Sequence, residues 1–363
     1  MINLLVDAIG VRRGSAAIVI GNTLVGWTQA FPDDRITVLV DRDPEFTVPA
    51  SVMVQHVTLG HAPAVAVRLW GQTVGVRREA RRIRADALLS AVTASAFLGA
   101  RCPHGVMVYD LRHELRPAQF PRRRRIVRRL LYGWSFRRAD ALFCISERTR
   151  GDLVRRRPRL AAKSRATLLG ADHAAAWQRT DDPAAYVLAF GHFANKNVDA
   201  VLHAWARYCE ADTSGLILRI CGLSAAGRAH VEAVLAGLDN AARVELMGWL
   251  QDDEFQTLFA GASMVLFPSD FEGFGLPAVE AMLLGVPVVV SDDPALLEVT
   301  AGHAVVTADH SPAALAAALV AARARTPDEL AAAQAHARTF TWARTASQMQ
   351  QLLVRQPGSP PTP

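Results

Sequence analysis

The sequence predicts two α/β domains, each built on a doubly wound parallel sheet. The chain has 363 residues, which is too long for one ordinary hydrophobic core and long enough for two. Short apolar runs alternate with helical patterns along it, as expected where crossover helices join parallel strands. Its composition, 51% hydrophobic and 20% charged, is that of a folded globular protein. We therefore expect two Rossmann-like domains that face each other across a cleft.

In the first half of the chain the predicted strands are short and are separated by longer helical patterns. They lie at Asn3–Val6, Ile36–Val40, Val52–Val57, Ala87–Leu89, Gly105–Tyr109 and Ala141–Ile145. Residues 1–170 are therefore assigned to an N-terminal domain. A polar stretch follows, with Asp181-Asp182-Pro183 near its end, and it is assigned to a linker at 171–185.

The second half shows the same alternation more clearly. The predicted strands are Tyr186–Phe190, Leu216–Cys221, Val244–Met247, Met264–Phe267, Val286–Val290 and Ala304–Thr307. Ser311 and Pro312 are typical of a helix start, and Gly285 is typical of a helix end. Residues 186–340 are assigned to a C-terminal domain. After it come a helix at 341–355 that packs back towards the N-terminal domain, and a flexible tail at 356–363.

The two halves carry opposite net charges. Residues 1–180 hold 30 Lys and Arg against 14 Asp and Glu, a net charge of +16, whereas residues 181–363 hold 10 against 20, a net charge of −10. The arginines are bunched at 77–84, 122–129 and 155–157. Such runs are either solvated helix faces or a surface that contacts an anionic membrane. Nucleic acid is excluded as a partner because the runs lack interleaved aromatic residues and no nucleic-acid-binding motif accompanies them.

Other features bear on the cellular location. The four cysteines are widely spaced and form neither a zinc-binding cluster nor a disulfide framework, which is typical of a reducing compartment. The segment Met1–Asp7 runs into a strand-like pattern without the features of a secretory signal. Polar residues interrupt the uncharged stretches too often for a spanning helix. We expect a cytoplasmic protein, and the arginines of its first half allow peripheral attachment to the inner face of the membrane.

The most informative segment is Phe267–Glu280, which reads FPSDFEGFGLPAVE. A strand ends at Phe267, a glycine- and proline-rich loop follows, and a helix begins near Pro277. The loop therefore lies at the carboxyl edge of a parallel sheet against a helix N-terminus, where phosphate binds in open α/β folds. Glu272 and Glu280 add carboxylates, which are poor partners for phosphate but good acceptors for sugar hydroxyls. The combination predicts a ligand that contains both phosphate and carbohydrate.

A second segment, Tyr186–Asn197, runs from a strand through Gly191 into a helix, with Asn197 in the N-cap position. Phosphate is the expected ligand here as well. Lys196 is one of two lysines in the chain, and its compact ammonium would bring a positive charge to a pyrophosphate. A loop lysine alone is more often solvated than functional, but its place after a strand and a glycine favours the ligand.

These motifs resemble the donor-binding domain of the family 4 retaining glycosyltransferases, which have the GT-B fold. The matching elements are Glu272-Gly-Phe-Gly-Leu-Pro-Ala-Val-Glu280, similar to the family's E-x7-E element, Gly285-Val-Pro-Val-Val, Leu296-Leu-Glu298, and Gly191 with Lys196-Asn197. The resemblance continues more weakly through Tyr109-Asp110-Leu111 and residues 139–149. It implies two facing Rossmann-like domains and transfer of a sugar from a nucleotide-diphosphate sugar, with retention at the anomeric carbon.

The resemblance also implies roles for individual residues. Glu280 would hold the ribose of the nucleotide, Glu272 a hydroxyl of the donor sugar, and Lys196 the pyrophosphate as it leaves. The other donor-binding positions that it implies are Gly14, Gly191, Asn195, Trp249, Leu250, Gly273, Phe274, Gly275 and Leu276. The positions expected on the side of the donor sugar or the acceptor are Tyr109, Asp110 and His113.

Two residues depart from the family pattern where the donor would be recognised. Tyr109 stands before Asp110 where the family often has histidine, and Asn195 precedes Lys196 where an arginine is common. The donor is therefore left open between GDP-mannose and a UDP-sugar.

The expected chemistry needs little beyond positioning and positive charge. A nucleotide diphosphate is a good leaving group, so no metal and no cofactor is expected. The favoured acceptor is a lipid-linked, polysaccharide or glycolipid molecule at the cytoplasmic membrane face. Two alternatives stay open: a soluble glycosyltransferase that acts on a natural product or small metabolite, and a catalytically silent nucleotide-sugar-binding subunit.

Overall fold

The computed structural model describes residues 1–12, 14–60, 62–179, 184–238 and 243–354. The chain divides into two units, one formed by Met1–Gly170 with Thr341–Pro363 and the other by Ala171–Phe340. Residues 171–185, predicted as a linker, belong to the second unit, and Asp172–Ala176 form a 3-10 helix there. The tail predicted at 356–363 lies outside the described residues.

The first unit is built on a parallel sheet, as predicted. Its strands, within the described ranges, follow the order β3-β2-β1-β4-β5-β6-β7, and each neighbouring pair is parallel. They are β1 Asn3–Asp7, β2 Arg35–Val40, β3 Met53–His56, β4 Ala87–Ser90, β5 His104–Val108, β6 Ala141–Cys144 and β7 Ser164–Ala166. Six of the seven strands match predicted ones. The sequence prediction missed β7 because it has three residues, one of them an arginine.

Helices cover this sheet. They are α1 Ser15–Ala30, α2 Ala64–Trp70, α3 Val76–Arg82, α4 Arg112–Leu115, α5 Arg122–Arg138, α6 Glu147–Arg156 and the C-terminal α14 Trp342–Leu353, and a π-helical segment at Gly71–Gly75 joins α2 to α3. Helix α14 packs against α1 within the first unit. The approach is close at Gly26, where an added Cβ would collide with the backbone of Trp342.

The second unit has a parallel sheet of the same kind. Among its described residues the order is β10-β9-β8-β11-β12-β13. The strands are β8 Ala184–Phe190, β9 Ile217–Cys221, β10 Val244–Leu246, β11 Ala262–Phe267, β12 Val288–Val290 and β13 Val305–Val306. The helices are α7 Val198–Ala211, α8 Ala225–Leu235, α9 Asp252–Ala260, α10 Leu276–Leu283, α11 Pro294–Thr300, α12 Pro312–Arg323 and α13 Pro327–Ala337. All six strands match predicted ones.

The predicted helix boundaries are confirmed by their local chemistry. The Ser311 hydroxyl accepts a hydrogen bond from Ala314 N at 3.2 Å and begins α12. Gly285 follows the end of α10 with φ +68°, in the left-handed region that favours glycine.

Each sheet reverses its strand order once. The reversal lies between β1 and β4 in the first unit and between β8 and β11 in the second. In open α/β sheets the loops that leave two such strands diverge and form a crevice for ligands at the carboxyl edge. The fold therefore points to the loops after β8 and β11, where the two sequence motifs lie.

No helix in the described part of the chain combines the length and the hydropathy needed to cross a bilayer.

The packing of α1 on α14 gives a stability prediction. Gly26→Ala should lower the melting temperature, with a cost of about 1–3 kcal/mol, because the new methyl group has no space beside Trp342. Gly133→Ala is the matched control, since that helical glycine has nothing within 4 Å of an added Cβ. It should stabilise by up to about 1 kcal/mol. Equal melting temperatures for the two variants would contradict the packing argument.

Candidate functional site

The candidate site is formed where the loops after β8 and β11 meet. The first loop contains Gly191 and the short 3-10 helix Ala194–Lys196, and it leads into α7. The second runs from Pro268 to Gly275 and leads into α10. Both leave neighbouring parallel strands at the strand-order reversal of the second unit. This is the crevice in which a doubly wound sheet binds ligands.

An ion pair joins the two loops. Lys196 Nζ lies 2.6 Å from Glu272 Oε1, and the two side chains are only 7% and 15% exposed. The same ammonium lies 4.0 Å from the centroid of the Phe267 ring, a cation–π contact. The two residues predicted to carry the chemistry are therefore in direct contact, and in this state the cation is neutralised by the carboxylate.

Asn195 strengthens this junction. Its side-chain amide donates to Glu272 Oε1 at 3.1 Å and to the carbonyl of Phe271 at 2.9 Å. Its own carbonyl accepts from Asp270 N at 3.0 Å. The residue that replaces the family's common arginine thus holds the second loop and orients the carboxylate that pairs with Lys196.

Asn197 occupies the predicted N-cap position of α7, but its side chain does not cap the helix. The residue has a left-handed backbone conformation, with φ 52°, and its side chain accepts no hydrogen bond from the first turn of the helix. Instead Nδ2 donates to the carbonyl of Pro268 at 2.9 Å. The side chain is used to fasten the two loops together, a role that a short-range capping rule does not reveal.

The N-terminus of α10 presents unused backbone donors. Gly275 precedes the helix with φ +103°, and a Cβ there would lie 2.5 Å from Leu296, so only glycine fits. Among the described residues, no hydrogen bond occupies the N–H groups of Gly275 and Leu276. Phe274 is buried, with its ring 6.0 Å from that of Phe340. The N-terminus of α10 therefore has free N–H donors and a partial positive charge, and both favour binding of an anion.

Glu280 lies in the second turn of α10 and is held by a residue that sequence reasoning missed. His173 Nε2 lies 3.1 Å from Glu280 Oε1, and the two side chains are 15% and 5% exposed. The His173 ring packs edge-on against Trp177. These residues come from the segment predicted as a linker, and 107 positions separate His173 from Glu280. No local pattern could have indicated the pair.

The other predicted donor-binding residues lie along the same group of loops. Gly191 N donates to the carbonyl of Cys221 at 2.8 Å, and a Cβ on Gly191 would collide with Leu223. Trp249 is 56% exposed, and Leu250 beside it is half-buried. Gly273 lies between Glu272 and the N-terminus of α10. Their predicted contacts with the donor stay predictions.

The predicted residues of the first unit lie near the ends of β1 and β5. Gly14 precedes α1 with φ +97°. The Tyr109 hydroxyl donates to the carbonyl of Ala91 at 2.8 Å, and burial raises its pKa. Asp110 Oδ1 accepts from Arg112 N at 2.9 Å. His113 is buried, with Nε2 3.5 Å from Glu114 Oε1.

The second unit contains a segment that matches a known protein family. Residues 184–324 match the family model described as glycosyl transferases group 1. This segment is a group 1 glycosyltransferase domain. It contains Lys196, Glu272 and Glu280, so the junction of the two loops lies inside the group 1 domain.

The chain is also similar to two mannosyltransferases. The GDP-mannose-dependent alpha-(1-6)-phosphatidylinositol dimannoside mannosyltransferase of Mycobacterium tuberculosis is 32% identical over 157 residues, which are 42% of this chain and 39% of that enzyme. O-antigen chain mannosyltransferase B of Escherichia coli is 44% identical over 66 residues, 18% of this chain and 17% of that protein. The chain therefore spans less than half the length of either relative.

Among solved structures, the chain resembles HepE of Anabaena in complex with UDP and glucose. The TM-score is 0.74 at 19% identity, and the match covers 97% of this chain and 99% of that one. Similarity at this level of identity shows the fold alone. The fold is GT-B, with two Rossmann-like units, as the sequence predicted. The cleft between the units stays a prediction.

The buried ion pair predicts a strongly non-additive double-mutant cycle. Lys196→Met should destabilise the protein by about 2–4 kcal/mol, because it removes the cation that contacts the mostly buried Glu272 carboxylate. Adding Glu272→Gln should restore much of the loss, since the negative charge that Lys196 balanced is then removed as well. Thermal unfolding of the four proteins measures the coupling.

The control for this cycle is Glu232→Gln, which removes the exposed pair with Arg228. It should change stability by less than about 1 kcal/mol. If the Lys196 and Glu272 effects simply added, the pair would not be the stabilising contact that its geometry indicates.

Proposed function

We propose that the protein is a retaining glycosyltransferase that transfers a sugar from a nucleotide-diphosphate sugar to a lipid-linked or glycan acceptor. The proposed donor is GDP-mannose or a UDP-sugar, and the proposed place of action is the cytoplasmic face of the membrane. The observation that carries the proposal is the contact of Lys196 with Glu272 at the strand-order reversal of a group 1 domain. A cation and a carboxylate in contact at such a reversal support a site for a phosphorylated sugar.

When the donor binds, its diphosphate would replace the Glu272 carboxylate as the anion beside Lys196. In the proposed complex the diphosphate lies against the ammonium and against the N–H groups of Gly275 and Leu276. Glu272, released from Lys196, then accepts a hydrogen bond from a hydroxyl of the donor sugar. As the bond between the anomeric carbon and the diphosphate breaks, the acceptor hydroxyl bonds to that carbon and its proton passes to the leaving diphosphate. Negative charge grows on the diphosphate during this step, and these fixed donors stabilise it. We therefore propose sugar transfer without a metal ion.

The relatives support the substrate classes without deciding between them. The Mycobacterium tuberculosis enzyme is named for GDP-mannose and for a phosphatidylinositol dimannoside, and the Escherichia coli protein for an O-antigen chain. The HepE complex contains UDP and glucose. Retention of the anomeric configuration is proposed from the Glu272 to Glu280 spacing, which resembles that of retaining family 4 enzymes.

A ligand screen followed by a hydrolysis assay tests the proposal. One of GDP, UDP, GDP-mannose or UDP-glucose should raise the melting temperature, because a ligand that binds only the folded state stabilises it. The wild-type protein should then slowly hydrolyse the matching nucleotide-sugar. Glu272→Ala should reduce that rate about a hundredfold or more, since the sugar loses a positioning contact.

The matched control is Glu210→Ala, which removes an exposed carboxylate from α7 of the same domain. It should leave hydrolysis unchanged. A wild-type protein that binds a nucleotide-sugar but never hydrolyses or transfers it would instead be the catalytically silent subunit.

The contact of His173 with Glu280 predicts an effect on donor binding. His173→Ala should raise the KM for the nucleotide-sugar about tenfold with little change in kcat, because Glu280 loses the partner that orients it towards the ribose. His173→Gln should rescue part of the loss, since its amide can donate from a similar position.

His203→Ala serves as the control, because His203 is exposed on α7 of the same domain. A fall in kcat with unchanged KM, or no rescue by glutamine, would count against a positioning role for His173.

A further inference from the structure

Helix α5, Arg122–Arg138, carries an apolar stripe on its outward face. Ile126, Leu130 and Trp134 lie four residues apart, so they share one side of the helix. Their exposed fractions are 61%, 67% and 49%. Phe136, on the other side, is fully buried. The helix thus packs by one face, and its second apolar face is not covered by any described part of the chain.

The stripe is surrounded by positive charge. Helix α5 has eight arginines and no Asp or Glu in its 17 residues. Among the described residues, none of these arginines forms an ion pair with a carboxylate. Arg122 and Arg123 at the start, Arg129 in the middle and Arg137 near the end are exposed beside the stripe. A partner for this helix must therefore offer both negative charge and an apolar phase.

The apolar surface continues from α5 into the loop after β4. Trp134 Nε1 donates to the carbonyl of Phe97 at 2.8 Å, which fixes the indole against that loop. The next residue, Leu98, is 49% exposed, and its carbonyl accepts from Arg77 Nη1 at 2.7 Å. The consecutive residues Phe97 and Leu98 therefore connect Trp134 on α5 to Arg77 on α3.

A second group of arginines lies beyond Leu98. Arg77 and Arg81 lie one turn apart on α3 and line the same shallow pocket, and their charges lower the pKa of Arg101. Within the described ranges, none of the three is paired with a carboxylate. Like charges placed together without counterions favour an anion between them.

We propose that α5, Leu98 and the group Arg77, Arg81 and Arg101 form one docking surface for a bilayer of anionic phospholipid. The stripe would enter the boundary between headgroups and acyl chains, as amphipathic interfacial helices do, and the arginines would contact lipid phosphates. Basic residues at such a surface contribute about 1 kcal/mol each. The surface deepens the proposed function, since it names the part of the protein that would bring it to a lipid-linked acceptor.

The charge argues against the other occupants of this surface. A second copy of the chain that packed by this same surface would bring its own arginines against these arginines, and the like charges would repel. Nucleic acid would satisfy the arginines but leave Ile126 and Leu130 in water. Anionic lipid satisfies both the charge and the apolar area.

Vesicle sedimentation with the full chain tests the surface. Binding should be strong to vesicles that contain phosphatidylglycerol, weak to phosphatidylcholine alone, and reduced at high salt. Leu130→Asn should weaken binding to the anionic vesicles roughly tenfold, through loss of buried apolar area. Arg122→Glu combined with Arg129→Glu should weaken it roughly thirtyfold or more.

Matched controls lie in the second unit. Val320→Asn removes an apolar side chain that is 58% exposed, and Arg207→Glu with Arg338→Glu changes the net charge by the same amount as the α5 double variant. Both control proteins should bind the anionic vesicles with nearly wild-type affinity. If they lose as much binding as the α5 variants, general charge and not this surface carries the interaction, and the proposal is overturned.

Two further outcomes would also overturn it. One is vesicle binding that none of the α5 substitutions changes. The other is a dimer that Leu130→Asn dissociates in a protein that does not bind vesicles, which would assign the surface to a second copy. The nucleotide-sugar melting shift, measured on the same variants without lipid, reports the proposed function separately. This shift should be the same in the α5 variants as in the wild type. Loss of vesicle binding can therefore be told apart from loss of donor binding.

Discussion

The ion pair between Lys196 and Glu272 is the constraint on which the rest of the candidate site depends. It joins the loops that leave β8 and β11, and both partners are mostly buried, so neither charge can be left alone without a large cost. A ligand that displaces Glu272 must therefore itself be an anion, and it must offer the released carboxylate a hydrogen-bond donor. A phosphorylated sugar meets both conditions, whereas a simple phosphate meets only the first.

The corresponding place in the first unit shows how the same topology can have a different chemistry. There the strand order reverses between β1 and β4, and Asp7 lies at the end of β1. Its carboxyl group is buried, accepts hydrogen bonds from Ser95 and from Ile9 N, and has its pKa raised by burial to about 6. No cation forms an ion pair with it among the described residues. At the strand-order reversal, the first unit thus has the buried carboxyl group of Asp7. The second unit has Lys196 paired with Glu272 at the same place in its sheet.

The sequence predicted the parts of this architecture that depend on local patterns. Alternating apolar runs revealed twelve strands, and the glycines and carboxylates of Phe267–Glu280 revealed the second loop. The pairing of Lys196 with Glu272 and of His173 with Glu280 could not be predicted, because 76 and 107 positions separate the partners. The arginines of α5 were visible in the sequence. The exposure of Leu130 beside them depends on which face of the helix packs, and only the structure gives that.

Asn195 stands where an arginine is common in the family, and it changes which contacts the loop after β8 makes. An arginine would bring a second cation to the diphosphate, whereas the short amide of Asn195 reaches the Phe271 carbonyl and the Glu272 carboxylate instead. The segment from Gly191 to Asn197 then contains one permanent cation, Lys196. The loop gains rigidity and loses charge. Stabilisation of a leaving diphosphate would therefore depend on this ammonium and on the N–H groups at the start of α10, which keep their direction because Gly275 fits only as glycine.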